Sequence, residues 1–327
     1  MHRAIPVHDR IRNLFGDRNS TKISVPADKT LNNSWNEQLA QFQEYYDAVT
    51  IHDYTACSHL KGLRPQQQLS LLASYGRAAL PVWISNVRDT FMSDKRIFMT
   101  EYNTGCSNAT FGYSVLHAMF AVSYMSAAIC DETESVELLM WHLYGQQSPA
   151  NQWGTFDVVT SFSDKADDVE GATFNVVAQI LAQIGYIGLV RNDQMSCLEF
   201  AGTECPVLGF KVMGNDAVQC LFGIGFNDEK EVDSFGFVVV NACDHETMMD
   251  LDLSGMRSGN DSAKLNVYQY HSHDGGNMAK FSDCNGGNIW DNGCAAVHGD
   301  YRVVDIVSGA VELNLEIDAL SVVLAYT

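Results

Sequence analysis

The chain has 327 residues, 46% hydrophobic and 18% charged, which suits a folded protein with a sizeable core and excludes a disordered one. Its 20 Lys and Arg stand against 40 Asp and Glu, a net charge of −20, so any broad face repels phosphate backbones and anionic lipid. Nucleic acid and membrane are thereby excluded as partners, whereas a neutral ligand such as a sugar meets no such barrier.

Segments taken in chain order alternate between strand and helix for about 190 residues. Lys22–Ala27 reads as a short strand and Ser34–Tyr45 as a helix with one apolar face. Asp47–His52 is β-branched and compact, a second strand. Gln66–Phe91 holds one or two helices around Pro81, and Arg96–Thr100 is a third strand ending at Glu101. Ala109–Ile129 reads as a long helix, Glu137–Leu143 as a fourth strand and Gly171–Ile187 as a fourth helix. Consecutive βα units with strands this apolar predict a parallel sheet covered by helices.

After about residue 195 the texture changes to short strands separated by Gly, Asn and Asp clusters. Gln219–Phe226, Phe235–Asn241, Lys264–Tyr270, Tyr301–Val307 and Ala319–Tyr326 are the clearest, and together they predict an antiparallel β-sandwich. The expected domains are therefore 1–190 and 191–327. The most apolar stretch, Val115–Cys130, is interrupted by His117, Ser123 and Ser126 and is too short to span a bilayer.

Nine cysteines form no CxxC pair and no zinc-like spacing with histidine, so no metal is expected. Cys197 with Cys205, and Cys284 with Cys294, are close in sequence across turn-rich stretches, while Cys57 and Cys106 each follow a predicted strand. They read either as disulfides of a secreted protein or as buried thiols. Sequons at Asn19, Asn32, Asn108 and Asn260 lean towards secretion, although residues 1–17 lack the apolar core of a signal peptide.

The chemistry concentrates at strand ends. Arg96–Thr100 delivers Glu101, followed by Tyr102 and Asn103, and the C-terminal ends of strands form the active face of a (β/α)8 barrel. The preceding strand ends in His52 and Tyr54, and the next in Trp141, His142 and Tyr144. Three successive strand ends thus carry groups suited to holding a sugar and an oxocarbenium-like transition state. Other clusters read as structure. Ser34 and Glu37 form a capping box, so Asn36-Glu37 is a helix start before it is a catalytic pair. His271-Ser272-His273-Asp274 sits in a Gly-rich turn, Glu132, Glu134 and Glu137 form a solvated face, and Gly223-x-Gly225 lies on a strand with no helix after it.

The order strand, His-x-Tyr, helix, strand, Thr-Glu-Tyr-Asn, helix, strand, Trp resembles the second half of the clan of retaining glycosidases built on (β/α)8 barrels. The α-L-arabinofuranosidase-like families 51 and 39 come closest. The resemblance implies the C-terminal half of a barrel, strands five to eight, followed by a β-sandwich. It implies Glu101 as nucleophile, with His52, Tyr54, Tyr102, Asn103 and Trp141 as substrate contacts. It implies a carbohydrate substrate, no organic cofactor and a secreted protein.

Such enzymes need a second carboxylate as acid/base, from an Asn-Glu pair ending strand four. No such strand precedes residue 20, so the chain is expected to lack strands one to four, as a partial product or as a remnant. The alternative function is a non-catalytic carbohydrate-binding or structural protein derived from a glycosidase. Two copies closing one barrel, a homodimer, would relieve the unpaired sheet edges of a half-barrel.

Overall fold

The computed structural model describes residues 9–10, 22–28, 34–55, 65–91, 94–104, 115–141, 145–146, 159–161, 172–174, 184, 194–198, 204–206, 217–227, 235–243, 245–252, 263–272, 297–306 and 312–327. Four strands, β1 (Ser24–Pro26), β2 (Ala48–Thr55), β3 (Arg96–Thr104) and β4 (Val136–Trp141), pair in the order β1-β2-β3-β4 and all run parallel. Between them run three helices, α1 (Ser34–Ala40), α2 (Pro65–Thr90) and α3 (Val115–Ile129). The βα alternation read from the sequence is the observed one. β2 and β3 run three and four residues beyond the expected ends at His52 and Thr100, so Glu101 lies within β3. The expected helix 34–45 stops at Ala40 and resumes as a 3-10 turn, Gln43–Tyr45, and α2 is one helix that keeps Pro81 on its exposed side.

Next come a small sheet of β5 (Gly145–Gln146), β6 (Val159–Ser161) and β7 (Ala172–Phe174), then β8 (Gln194–Leu198) and the pair β9 (Glu204–Pro206) and β10 (Ala217–Gln219). β7 corrects the start of the helix expected at Gly171–Ile187, since Ala172–Phe174 pairs antiparallel with β6, whereas Ile184 is helical as expected. A short apolar run fits either period, and here cross-strand partners decided it. The remaining strands are β11 (Leu221–Asn227), β12 (Phe235–Asn241), β13 (Thr247–Asp252), β14 (Ala263–Ser272), β15 (Val297–Ile306), β16 (Glu312–Ile317) and β17 (Ser321–Tyr326). They form a six-stranded sheet, β15-β14-β17-β12-β11-β8, with antiparallel pairing throughout, and a separate pair, β13-β16. His271 and Ser272 belong to β14, opposite His298 and Val297, rather than to the turn expected there, because the ladder with β15 extends that far.

Alternation along the strands explains the layers. In β17, Val322 and Leu324 face the cluster built around α3, while Val323 and Ala325 face the cluster shared with Met249, Leu315 and Ile317 of β13 and β16. In the parallel sheet, Val49 and Ile51 of β2 and Ile97 and Met99 of β3 point to the helices and are buried. One continuous apolar cluster therefore runs from the parallel sheet through α2 and α3 into the six-stranded sheet. The expected boundary at residues 190 and 191 lies outside the described residues.

α3 is the shared element. Ala118 to Val122 and Tyr124 are fully buried, as a helix apolar on every side must be. The serines that interrupt its apolar run serve as contacts. Ser123 Oγ donates to the Phe120 carbonyl (2.7 Å) and accepts the Gly76 N–H (2.8 Å), while Ser126 Oγ donates to the Gly223 carbonyl of β11 (3.3 Å). Gly76 is where α2 meets α3: a Cβ there would lie 2.3 Å from the Tyr124 nitrogen.

A disulfide joins Cys130, just past α3, to Cys197 of β8, and a second joins Cys220 to Cys243 (Cα separations 4.8 and 5.0 Å). From the sequence, Cys197 and Cys205 read either as a disulfide or as buried thiols. The covalent link instead ties the helix layer to the edge of the six-stranded sheet, since packing brings Cys130 to β8. Cys57, Cys106, Cys284 and Cys294, and all four sequons, lie outside the described residues. Among the described residues no helix is long and apolar enough to cross a membrane.

Gly76→Ala tests the helix contact. The backbone of α3 would have to move, so unfolding in urea should show a loss of about 3 kcal/mol, at the upper part of the overpacking range. Unchanged or raised stability, as helix propensity alone would give, would contradict the packing.

Candidate active site

Parallel strands place their C-terminal ends side by side, and β2 and β3 bring the predicted residues together there. Register pairs Val49 with Ile97 and Ile51 with Met99, then slips by one, so that His52 pairs with Glu101, Asp53 with Tyr102 and Tyr54 with Asn103. Thr100 is the extra residue of a β-bulge. A bulge resets the in-out alternation, so Thr100 and Glu101 both serve the face that carries His52 and Tyr54. The same slip recurs against β4, where Met99 pairs with Leu139 and Tyr102 with Trp141.

On that face the Tyr54 hydroxyl donates to Glu101 Oε2 at 2.6 Å, and His52 Nδ1 lies 3.3 Å from the same oxygen. The other imidazole nitrogen, Nε2, is 2.9 Å from Thr100 Oγ1. Nδ1 thus faces the Glu101 carboxylate and Nε2 the Thr100 hydroxyl, and with the ring proton on Nδ1 it is Thr100 that donates to Nε2. Burial, and then the hydrogen bond and negative charge of Glu101, push the Tyr54 phenol well above its ordinary 10.0. Tyr54 therefore keeps its proton, and its role as donor, throughout the neutral range.

The opposite face belongs to the core. Tyr102, read from sequence as a sugar contact, is buried against α3 with its ring 4.7 Å from that of Tyr124. Alternation after the bulge turns it away from Glu101, so it is a packing residue. Asn103 is level with Tyr54 and fully buried. Trp141 ends β4 level with Tyr102, and His142 and Tyr144 lie outside the described residues. Glu37 is in the first turn of α1 and exposed, while its neighbour Asn36 is buried and bonded to the backbone of Asp28. Glu132, Glu134 and Glu137 are exposed, as expected. Among the described residues no group of three or more His, Cys, Asp or Glu could hold a metal ion.

Sequence reasoning missed Thr100, whose part depends on a bulge that has no signature in the residues. It also passed over Asp53, flanked by two predicted site residues, which is wholly buried and accepts a hydrogen bond from the Tyr124 hydroxyl.

Several buried phenols carry a pH signature. Burial raises Tyr46, Tyr54, Tyr75, Tyr102 and Tyr124 above the ordinary 10.0. The neutral phenol is the folded form, so this contribution to stability is full below pH 10.0 and is lost above it, where the unfolded chain ionises and the fold does not. Tyrosinate absorbance and circular dichroism should therefore change together in one step above that pH. Ionisation of all the phenols near their ordinary value with the dichroism intact would contradict the burial.

The chain matches no protein-family model and no curated protein sequence. Its structure superimposes on the family 51 α-L-arabinofuranosidase of Bifidobacterium longum with a TM-score of 0.66 at 12% identity, covering 98% of this chain and 61% of that one. The α-L-arabinofuranosidase of Thermotoga maritima gives 0.61 at 12%, covering 97% and 59%. A 4-O-α-L-rhamnosyl-β-D-glucuronidase of Fusarium oxysporum gives 0.57 at 11%, covering 98% and 62%. The chain thus spans about three fifths of these enzymes' length, and over that span it has the fold of the family 51 α-L-arabinofuranosidases and related glycoside hydrolases.

Proposed function

We propose that this chain carries the nucleophile side of a retaining glycosidase site, with Glu101 as the attacking carboxylate. The observation that supports it is the Tyr54–Glu101–His52 cluster at the C-terminal ends of adjacent parallel strands, in a fold shared with glycoside hydrolases. Glu101 attacks the anomeric carbon, the bond to the leaving oxygen breaks, and a glycosyl ester forms. Water then cleaves the ester with net retention. Tyr54 and His52 hold the carboxylate in line and disperse its charge, the buried Asn103 supports the strand end behind them, and Trp141 is a proposed sugar contact. The reaction requires a general acid about 5 Å from the nucleophile, which a longer form of the chain or a partner would supply.

A neutral glycoside fits the net charge of −20. An α-L-arabinofuranoside is the first sugar to try, since enzymes of that name share the fold. The two disulfides among the described residues fit an oxidising, extracytoplasmic setting.

A second reading keeps the sugar and drops the chemistry. The Glu101 side chain is 31% exposed and that of His52 47%, while Leu138 and Met140 stand exposed on the same face. A catalytic carboxylate works best with water excluded, and a (β/α)8 barrel fills that face with side chains of further strands. In this reading a second copy of the chain covers the face.

Covalent labelling separates the two. A fluoro-sugar with an activated leaving group needs no general acid for the first step. Incubation should add one sugar to the peptide containing Glu101 and none to Glu101→Gln. A folded protein that binds arabino-oligosaccharide but never labels would overturn the enzymatic reading in favour of the second.

A further inference from the structure

Asp53 has no task in the chemistry above, yet it is the wholly buried residue between His52 and Tyr54. Its side chain points through the sheet to the helix layer, where the Tyr124 hydroxyl of α3 donates to its Oδ2. Tyr124 is itself fully buried, with its ring 4.7 Å from Tyr102, 5.3 Å from Phe120 and 6.3 Å from Tyr75. Tyr102 follows Glu101 in the chain and is the register partner of Asp53.

One phenol therefore grips both strands from behind, β2 through a hydrogen bond at Asp53 and β3 through the ring of Tyr102. The residues gripped are the chain neighbours of His52, Tyr54 and Glu101, which project to the other face. The grip sits where the bulge ends, the point at which regular register alone no longer fixes the two strands. A carboxylate is a costly group to bury, and an apolar residue would fill the space at less cost. Its retention in the core points to a geometric role.

We propose that Asp53 and Tyr124 are positioning residues that set the Tyr54–Glu101 hydrogen bond from the far side of the sheet. The inference rests on the glycosidase reading for its purpose, though the coupling itself is a property of the fold. Asp53 and Tyr124 touch no substrate and act only through the strand ends.

The experiment is proton NMR of the folded chain. The Tyr54 hydroxyl proton, in a bond of 2.6 Å to Glu101, should give a downfield, slowly exchanging signal. Glu101→Gln assigns it by altering it. In Tyr124→Phe, which removes only the gripping hydroxyl, that signal should shift or broaden although Tyr54 and Glu101 are intact. Asp53→Asn keeps an oxygen that accepts from Tyr124 and should preserve the signal, whereas Asp53→Ala should lose it. An unshifted signal in Tyr124→Phe, or the same effect from Asn and Ala at position 53, would overturn the proposal. If Tyr124→Phe fails to fold, the comparison of Asn with Ala at position 53 still decides it.

Where a hydrolysable glycoside is found, Tyr124→Phe should lower kcat about tenfold with KM unchanged, as loss of an interaction used in the transition state does. Failure of the glycosidase reading would remove that substrate but leave the NMR result standing.

Discussion

Everything in this fold leans on a helix that is apolar on every side. α3 has no polar face to give to water, so it is stable only where protein surrounds it. The parallel sheet covers one side, the six-stranded sheet another and α2 a third, and the apolar cluster passes through it without a break. Its few polar atoms are spent on contacts that set depth and angle. Ser123 meets the Gly76 backbone, Ser126 meets Gly223 of β11, and the Tyr124 hydroxyl reaches Asp53 of β2. The Cys130–Cys197 bridge fixes the same helix end to β8. The parallel sheet and the sandwich are thus parts of one packed body at this point.

The consequence for the site is a division of labour between the two faces of one sheet. Period-two alternation sends Val49, Ile51 and Asp53 to the helices and Thr50, His52 and Tyr54 to the open face. Without the bulge, Glu101 would fall on the same side as Met99 and be buried beneath α3. The extra residue at Thr100 turns the carboxylate to the open face and turns Tyr102 into the core. One inserted residue therefore decides whether this strand presents chemistry or packing.

Much of this was legible in the residues. The βα alternation, the sandwich strands and the grouping of His52, Tyr54 and Glu101 follow from apolar periodicity and from where polar residues interrupt it. Phe235–Asn241 was read with its observed ends, because a run so apolar is buried on both faces. What escaped depends on partners far away in the chain. Tyr102 was implied as a sugar contact by the resemblance of Thr-Glu-Tyr-Asn, and the bulge that turns it into the core is set by the pairing with β2. Cys197 looked near to Cys205 in sequence, but the packing of α3 brings Cys130 to it across 67 residues. Ala172–Phe174 looked helical until its cross-strand partner was seen. Asp53 looked like a spacer between two interesting neighbours, since burial of a carboxylate is invisible without the helix that covers it.

The central claim is that Glu101, turned outward by the bulge and held by Tyr54 and His52, is a glycosyl acceptor. The stereochemistry of the first product tests it most directly. Proton NMR during early turnover of an arabinofuranoside with an activated leaving group reports which anomer appears before mutarotation mixes them. The account predicts the anomer of the substrate, retained through two displacements at Glu101, and its disappearance in Glu101→Ala. An inverted first product, or retention that survives Glu101→Ala, would contradict it.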